Sequence, residues 1–199
     1  TMRSVFKVIL AYLAMTLPCH AELAIDAAAA HRLREGGVLL EVTGDDSGEA
    51  DGRIQAVIDI PAPPHAVFAT MTDCKRALKF VAQLTLCRVL ETASDGRSDV
   101  REHHSRWLAI LPEMISVFRS DYTPDREIRF RGVGGDLKFL EGKWLLQPMQ
   151  NGQTTRLFYD ARVGAGLPIP GFIIRAALEA DVPELLKALR MEVVRGAGN

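Results

Sequence analysis

The feature that most constrains the fold is a series of β-patterned segments between residues 85 and 163 with no helix among them. Six segments rich in β-branched and aromatic residues are separated by short turn sequences such as SDG, TPD and GVGGD. Parallel neighbours need a crossover connection of about a dozen residues or more, usually a helix. The spacing therefore predicts an antiparallel meander.

Two further strands and two short helices are predicted ahead of the meander. Residues 36–44 read as a first strand, and residues 53–62 (RIQAVIDIPA) alternate polar and apolar positions as a half-buried strand does. The prolines before His65 suit a helix start, and Asp73 is a candidate cap for a second helix that ends near Phe80. The predicted inward face of the second strand holds Ile54, Ala56, Ile58 and Ile60.

The chain closes on a long helix with an apolar stripe, which needs a sheet to cover it. Pro183 interrupts the pattern, so we expect a kink or a restart near residues 182–184. Phe172 and Ile173 lie off the stripe, and we expect part of this first turn to be exposed or to border an opening. The stripe consists of Ile174, Leu178, Val182, Leu185, Leu189 and Val193.

Composition favours one domain and argues against nucleic acid as a partner. The chain has 199 residues, 48% of them hydrophobic, and its 24 Lys and Arg nearly balance its 25 Asp and Glu. Such a chain can bury a sizeable core, and it carries no broad basic field for a phosphate backbone. We expect a single domain over residues 22–196, of which residues 22–35 form a short polar, alanine-rich lead.

Residues 1–21 predict a secretory signal peptide. Arg3 and Lys7 precede an apolar run from Val8 to Leu17, and small residues stand before Ala21. The run is about half the roughly 20 residues that span a bilayer. We therefore expect cleavage near Ala21 and an exported protein, periplasmic or secreted, with an uncleaved anchor as the alternative. Thr1, which stands before Met2, we interpret as an added residue or a numbering artefact.

Cys74 and Cys87 remain after removal of the predicted signal, and in an oxidising compartment they favour a disulfide. The alternative is a pair of buried, reduced thiols. Metal binding is disfavoured because no further cysteine and no suitably spaced histidine accompanies the pair.

Three segments together resemble the START-like superfamily, also called SRPBCC or helix-grip. They are IDIPAPPHAVFATMTD at 58–73, GDLKFLEGKWLLQP at 135–148 and the terminal LPIPGFIIRAALEADVPELLKALR at 167–190. The likeness is to the exported bacterial branch related to polyketide cyclases and Coq10-type quinone-binding proteins, and it covers residues 36–195. It implies an α+β fold in which a curved antiparallel sheet of six to seven strands wraps a long C-terminal helix.

The resemblance also implies a hydrophobic cavity for a lipid, sterol, quinone or polyketide-like molecule. Aromatic residues from several strands and residues of the closing helix are candidates to contact such a ligand, with Arg175 as the candidate partner for a ligand carboxylate, phosphate or hydroxyl. Glycines beside the strands mark places for the bends that curvature needs, namely Gly132, Gly134, Gly135 and Gly142. The candidate ligand-binding residues are Trp107, Phe118, Phe130, Phe139, Tyr159, Phe172, Arg175 and Leu178.

Two residues are candidates for acid or base catalysis in such a cavity. Glu141 stands beside Gly142 in an apolar strand, where burial would disfavour its ionised form. His103 shares a strand face with Trp107, whereas His104 points the other way, so the two histidines are not expected to bind one ion. We predict no metal site and no cofactor. The alternative for both candidates is a place on the polar, solvent-facing side.

The leading hypothesis is an exported, non-enzymatic carrier of a hydrophobic small molecule or lipid. A cyclase or dehydratase that uses Glu141 or His103 is the second hypothesis, and a filled core that serves protein interaction is the third. The carrier hypothesis adds a transient membrane contact through Leu167, Ile169, Phe172 and Ile173.

Overall fold

The computed structural model describes residues 23–44, 51–106, 113–165 and 170–197. The predicted signal at 1–21, Trp107, Leu167 and Ile169 lie outside the described residues. The helices are α1 (Ala27–Arg34), α2 (Pro64–Thr72), α3 (Cys74–Phe80) and α4 (Gly171–Ala197). The strands are β1 (Val38–Gly44), β2 (Asp51–Ile60), β3 (Leu84–Thr92), β4 (Ser98–Ser105), β5 (Met114–Thr123), β6 (Glu127–Gly135), β7 (Leu137–Met149) and β8 (Thr154–Ala165).

The strands form one antiparallel sheet in the order β1-β2-β8-β7-β6-β5-β4-β3. The predicted meander accounts for β3 to β8, and β8 then pairs with β2 along its length. The α+β helix-grip class is confirmed, but the described residues hold eight strands rather than six or seven. Strand β1 pairs with β2 over seven positions from Val38 to Gly44, and β2 pairs with β8. Both strands therefore belong to the same sheet as the meander.

The main core lies between the inner face of the sheet and helices α2, α3 and α4. The predicted inward face of β2 is confirmed, since Ile54, Ala56, Ile58 and Ile60 all belong to this core. A bulge at the β5–β6 pair places Val133 between Gly132 and Gly134, where the sequence predicted a bend.

Helix α4 runs without interruption from Gly171 to Ala197, although Pro183 lies inside it. The predicted restart near residues 182–184 is therefore wrong. Pro183 removes one backbone hydrogen bond, but Val182 and Leu186 on either side are both buried against the core. Helical stability in proteins comes mostly from such packing, which keeps α4 helical through Pro183. No helix among the described residues is long and apolar enough to cross a membrane.

Part of the alanine-rich lead, for which the sequence analysis gave no secondary structure, is a helix. Asp26 caps α1, since the backbone N–H of Ala29 donates to its Oδ1 at 2.7 Å. Ala29 and Leu33 then pack on the outer face of the sheet against Val57. Alanine is the best helix former, which suits the run of four alanines that follows Asp26 to the start of α1.

The predicted disulfide between Cys74 and Cys87 is present. Cys74 is the first residue of α3 and Cys87 lies on β3, with 5.4 Å between their Cα atoms. The bond therefore attaches α3 to the sheet.

Reduction of this disulfide is expected to lower the free energy of unfolding by about 3 kcal/mol, because the cross-link restricts the unfolded chain over a separation of 13 residues. Urea unfolding with and without a thiol reductant measures the difference. The Cys74→Ser/Cys87→Ser variant should match the reduced protein and be insensitive to the reductant. An unchanged free energy after reduction would show that the cysteines are not cross-linked in solution.

Candidate ligand cavity

A cavity of about 140 Å³ lies between the inner face of the sheet and helices α2, α3 and α4. Its walls are mainly apolar, with Phe118 and Phe130 from the sheet and Leu185 and Leu189 from α4. Arg101, His103, Ser120 and Tyr122 on β4 and β5 also border it, and Thr72 borders it at the end of α2. The cavity therefore has a mainly apolar lining, with most of its polar groups on two neighbouring strands.

The polar wall is built on a buried ion pair. Arg101 is only 5% exposed, and its Nη2 donates to Asp99 Oδ2 at 2.7 Å while its Nε donates to the same carboxylate at 2.9 Å. Nη2 also donates to the carbonyl of Thr72, the last residue of α2, at 2.6 Å. A cation is favoured at the carbonyl end of a helix. Burial, the largest single influence, would lower the pKa of Arg101, but the hydrogen bond to Asp99 and the charges of Tyr122 and Asp99 together outweigh it, and the net shift is upward.

Tyr122 continues the polar wall beside this pair. Burial is the main cause that raises the pKa of its phenol, and hydrogen bonding to Asp99 raises it further, against the opposing field of Arg101. The phenol is thus kept neutral and can act as a hydrogen-bond donor. Its ring meets Phe68 edge to face, with 5.8 Å between centroids. Packing of this kind fixes the position of the hydroxyl.

His103 joins the polar wall to the disulfide. Its Nε2 lies 3.2 Å from Cys87 Sγ, and its ring meets Phe118 edge to face at 4.8 Å. Burial, and secondarily the nearby Arg101 cation, lowers the pKa of the imidazole from 6.5 to about 4. His103 is therefore a neutral group in the cavity wall at physiological pH.

Stacked aromatic rings support the sheet side of the cavity. Trp144, which borders the cavity, stacks on Tyr159 with 3.8 Å between centroids, and Tyr159 stacks in turn on Phe130 at 6.3 Å. Gly142 makes room for this arrangement, because a Cβ atom there would lie 2.7 Å from the Phe130 ring. Burial raises the pKa of the Tyr159 phenol.

The volume limits what the cavity holds in this state. A dry apolar cavity of about 150 Å³ accepts a benzene-sized molecule, whereas pockets for drug-sized ligands span roughly 300–1,000 Å³. The cavity of about 140 Å³ therefore admits a ring-sized group, and a longer molecule requires side chains of the wall to turn aside.

A larger groove of about 850 Å³ lies on the outer face of the sheet and opens to solvent. Charged pairs occupy it, including Arg53 with Asp160 at 3.1 Å and Arg162 with Glu141 at 3.7 Å. An apolar guest would have to displace water from these charges, which is costly. The smaller and more apolar cavity is therefore the candidate ligand site.

The structure brings only part of the predicted site together. Phe118 and Phe130 border the cavity, and Tyr159 supports it from behind. Leu178 belongs to the main core, and Arg175 donates to the Gly44 carbonyl at 3.5 Å, beside the β1–β2 hairpin.

The remaining predicted residues lie away from the cavity. Phe139 stacks under the Arg162 guanidinium, and Phe172 is 73% exposed on the first turn of α4. Glu141 pairs directly across from Arg162 with its side chain 59% exposed, so this carboxylate lies on the outer face and not in the cavity wall. Of the two catalytic candidates, only His103 borders the cavity.

The residues of the site that the sequence reasoning missed include Arg101, Tyr122 and Trp144. A signal for Arg101 existed, because it shares its strand face with Asp99 and His103 by simple alternation. A strand can bury a charged residue when a residue of opposite charge stands two positions away on the same face, because the two side chains can then form an ion pair. For Tyr122 and Trp144 no local signal distinguishes the inward side chains from outward ones.

These features define a helix-grip protein, in which a curved antiparallel sheet and a long C-terminal helix enclose an internal cavity. A profile described as "Polyketide cyclase / dehydrase and lipid transport" matches residues 60–190, and the chain belongs to this family. The predicted START-like resemblance is thereby confirmed.

Solved structures share the fold at low sequence identity. A STAR-related lipid transfer protein from Xanthomonas axonopodis is 16% identical with a TM-score of 0.65, over 79% of this chain and 94% of that chain. The Zhui aromatase/cyclase from Streptomyces sp. R1128 is 18% identical with a TM-score of 0.60, over 74% and 96%. A START superfamily protein from Mycobacterium smegmatis is 17% identical with a TM-score of 0.64, over 72% and 97%. A search of curated proteins found no match.

The neutral His103 makes the disulfide-bonded protein sensitive to acid. In the unfolded chain the imidazole takes up a proton near its ordinary pKa of 6.5, but in the folded protein only near 4. Its contribution to stability is therefore complete above about pH 6.5 and is lost as the pH falls towards 4, a loss of roughly 3 kcal/mol. In His103→Gln the fall in unfolding free energy between about pH 7 and pH 4.5 should be smaller than in the wild type.

His104→Gln is the matched control, because His104 faces away from the cavity and contacts Glu102 at 3.0 Å and Glu113 at 3.3 Å. Chemical denaturation at both pH values provides the comparison. An equal acid sensitivity in wild type and His103→Gln would contradict the assignment of His103 as the buried neutral group.

Proposed function

We propose that the protein is exported and binds a hydrophobic small molecule with one polar end in the cavity between the sheet and α4. The observation that carries the proposal is the cavity itself, with an apolar body and polar side chains on β4, β5 and the end of α2. Ligand pockets of this kind are mostly apolar, and a few convergent polar groups orient the ligand.

The polar wall favours an uncharged oxygen on the ligand. Asp99 already balances the charge of Arg101 through two hydrogen bonds, so the wall offers hydrogen-bonding groups without a net charge. A ligand carboxylate would enter a low-dielectric site without a free counter-charge, which is costly. A hydroxyl or carbonyl group can instead bond to Tyr122, Ser120 or His103 at little cost.

A longer guest requires the cavity to widen. Phe118 and Phe130 from the sheet and Leu185 from α4 form opposite walls of the present volume. Rotation of these side chains would join the cavity to the space around the ring stack without breaking a strand pair. The name of the matching family includes lipid transport, and the Xanthomonas neighbour is named a lipid transfer protein, which supports a lipid-like guest.

A cyclase or dehydratase is the second candidate function. The observation that favours it is His103, a neutral imidazole that borders the cavity beside Arg101 and Tyr122. A neutral imidazole can accept a proton, and the Tyr122 hydroxyl can donate a hydrogen bond to an oxygen that gains negative charge. Two observations distinguish the candidate functions. A carrier releases the bound molecule chemically unchanged, and His103→Gln alters only its affinity. An enzyme converts the molecule, and His103→Gln abolishes the conversion.

Filling the cavity is expected to abolish ligand retention. Ala77→Leu adds three carbon atoms at a residue that borders the cavity, whereas Ala176→Leu makes the same change at an exposed site on α4. In the variant the leucine side chain and the ligand would compete for the same volume. Overpacking of the ligand-bound cavity would cost about 1–3 kcal/mol, which corresponds to a roughly 5- to 140-fold loss of affinity. Native mass spectrometry of each protein from the exported fraction should find ligand on wild type and Ala176→Leu only.

The same spectra test export, because a chain that begins at Glu22 indicates cleavage after Ala21. The ligand released from the wild type should be apolar with an uncharged oxygen at one end. A wild-type protein without ligand would contradict the cavity as the binding site. So would an Ala77→Leu protein that still carries the ligand and is shown by cooperative unfolding to be folded.

The first turn of α4 is the proposed membrane contact. Phe172 is 73% exposed and Ile173 is 44% exposed, so two adjacent large apolar side chains face water. Arg175 lies one turn further on and would meet lipid phosphates. Apolar residues beside a cation are the usual composition of a segment that lies in the membrane interface.

Vesicle sedimentation tests this contact. Burying a Phe or Ile side chain contributes about 1.5–3 kcal/mol, so Phe172→Ser/Ile173→Ser should weaken binding to phospholipid vesicles by roughly tenfold or more. Met191→Ser/Val194→Ser is the matched control, since Met191 and Val194 are exposed apolar residues near the other end of α4. Equal vesicle binding by both double variants would contradict the first turn of α4 as the membrane contact.

A further inference from the structure

Three side chains with metal-binding atoms meet where α3, β3 and β4 come together, and one of them, His103, borders the cavity. Cys74 Sγ, Cys87 Sγ and one ring nitrogen of His103 all lie within 4.8 Å of one another. Cys87 and His103 are direct partners in the β3–β4 pairing, and Nε2 of His103 lies 3.2 Å from Cys87 Sγ. The sequence had placed no histidine with the cysteine pair, because the register that joins residues 87 and 103 is a property of the sheet.

The cluster is held by three separate elements. Cys74 begins α3, Cys87 lies on β3 and His103 on β4, and all three residues are half-buried. Phe118 packs edge to face against the imidazole and limits its rotation. The ligand atoms are therefore preorganised by the fold rather than by a loop.

The donor set defines the class of ion. Two thiolates and one imidazole suit Zn²⁺ or Cu⁺ and are poor ligands for Ca²⁺ or Mg²⁺. Two thiolates and Zn²⁺ sum to zero charge, so the filled site can be half-buried without a further counter-ion. Three protein ligands leave a fourth tetrahedral position open.

We propose that reduction of the Cys74–Cys87 disulfide turns this cluster into a binding site for Zn²⁺ or a similar thiophilic ion. A dithiol reductant supplies two electrons and two protons, the S–S bond breaks, and the reductant is released as its cyclic disulfide. The ion then displaces the two thiol protons and bonds to both sulfurs and to His103. Disulfide and metal exclude each other, because each sulfur takes one state or the other.

Cobalt titration tests the site, since Co²⁺ occupies zinc sites and its spectrum reports the ligands. The full chain is reduced with dithiothreitol, freed of it by desalting under argon, and titrated with Co²⁺. A sulfur-to-cobalt charge-transfer band that saturates at one ion per chain, with intense visible bands of tetrahedral cobalt, is expected. The oxidised protein should develop neither, and addition of Zn²⁺ should bleach the spectrum.

Variants locate the ligands. Cys87→Ser and Cys74→Ser should each lose charge-transfer intensity, and His103→Ala should shift the visible bands and weaken binding. His104→Ala is the control on the same strand and should behave as wild type. Absence of the charge-transfer band from reduced wild type, or a spectrum unchanged by His103→Ala, overturns the proposal. Neither result bears on ligand retention by the oxidised protein.

Discussion

The structure depends on a mismatch of width between one helix and one sheet. Eight strands spaced about 4.8 Å apart would make a flat sheet roughly 38 Å wide, whereas a helix with its side chains is only about 10–12 Å across. One helix cannot cover such a face. The sheet therefore curves around α4, and the short helices α2 and α3 close the part that α4 leaves bare. The cavity lies where these three helices and the curved sheet fail to meet.

The position of the polar wall argues that this gap is more than imperfect packing. A buried ion pair seldom stabilises a fold better than apolar residues of the same size, because both charges lose their water. Asp99 and Arg101 nevertheless lie under the cavity, and among the described residues no buried side-chain nitrogen or oxygen lacks a partner. A fully satisfied polar network beside an apolar space gives orientation to a guest, at a cost that a filled core would not incur.

Local patterns predicted the parts of the fold that local physics decides. Alternation in β2 gave Ile54 and Ile58 their inward side, and the prolines before His65 and the carboxylate of Asp73 marked the starts of α2 and α3. The facing of β7 was beyond such reasoning, because both of its faces carry large apolar residues and Glu141 could lie on either. The outward position of Glu141 follows from the pairing of Trp144 with Tyr159. This pairing is set by the neighbouring strand and cannot be read from the sequence of β7 alone.

Helix α3 couples the features that sequence reasoning treated separately. Its Ala77 and Phe80 border the cavity, its first residue is attached to β3 by the disulfide, and Arg76 donates to the buried Glu192 of α4 at 3.1 Å. The helix is thus held to the sheet at one point and to α4 at another. A guest that contacts this wall binds the folded state alone, so it adds to the stability that the disulfide supplies. One short helix therefore carries the disulfide and part of the cavity wall, so the cross-link and a molecule bound at that wall would stabilise the same element.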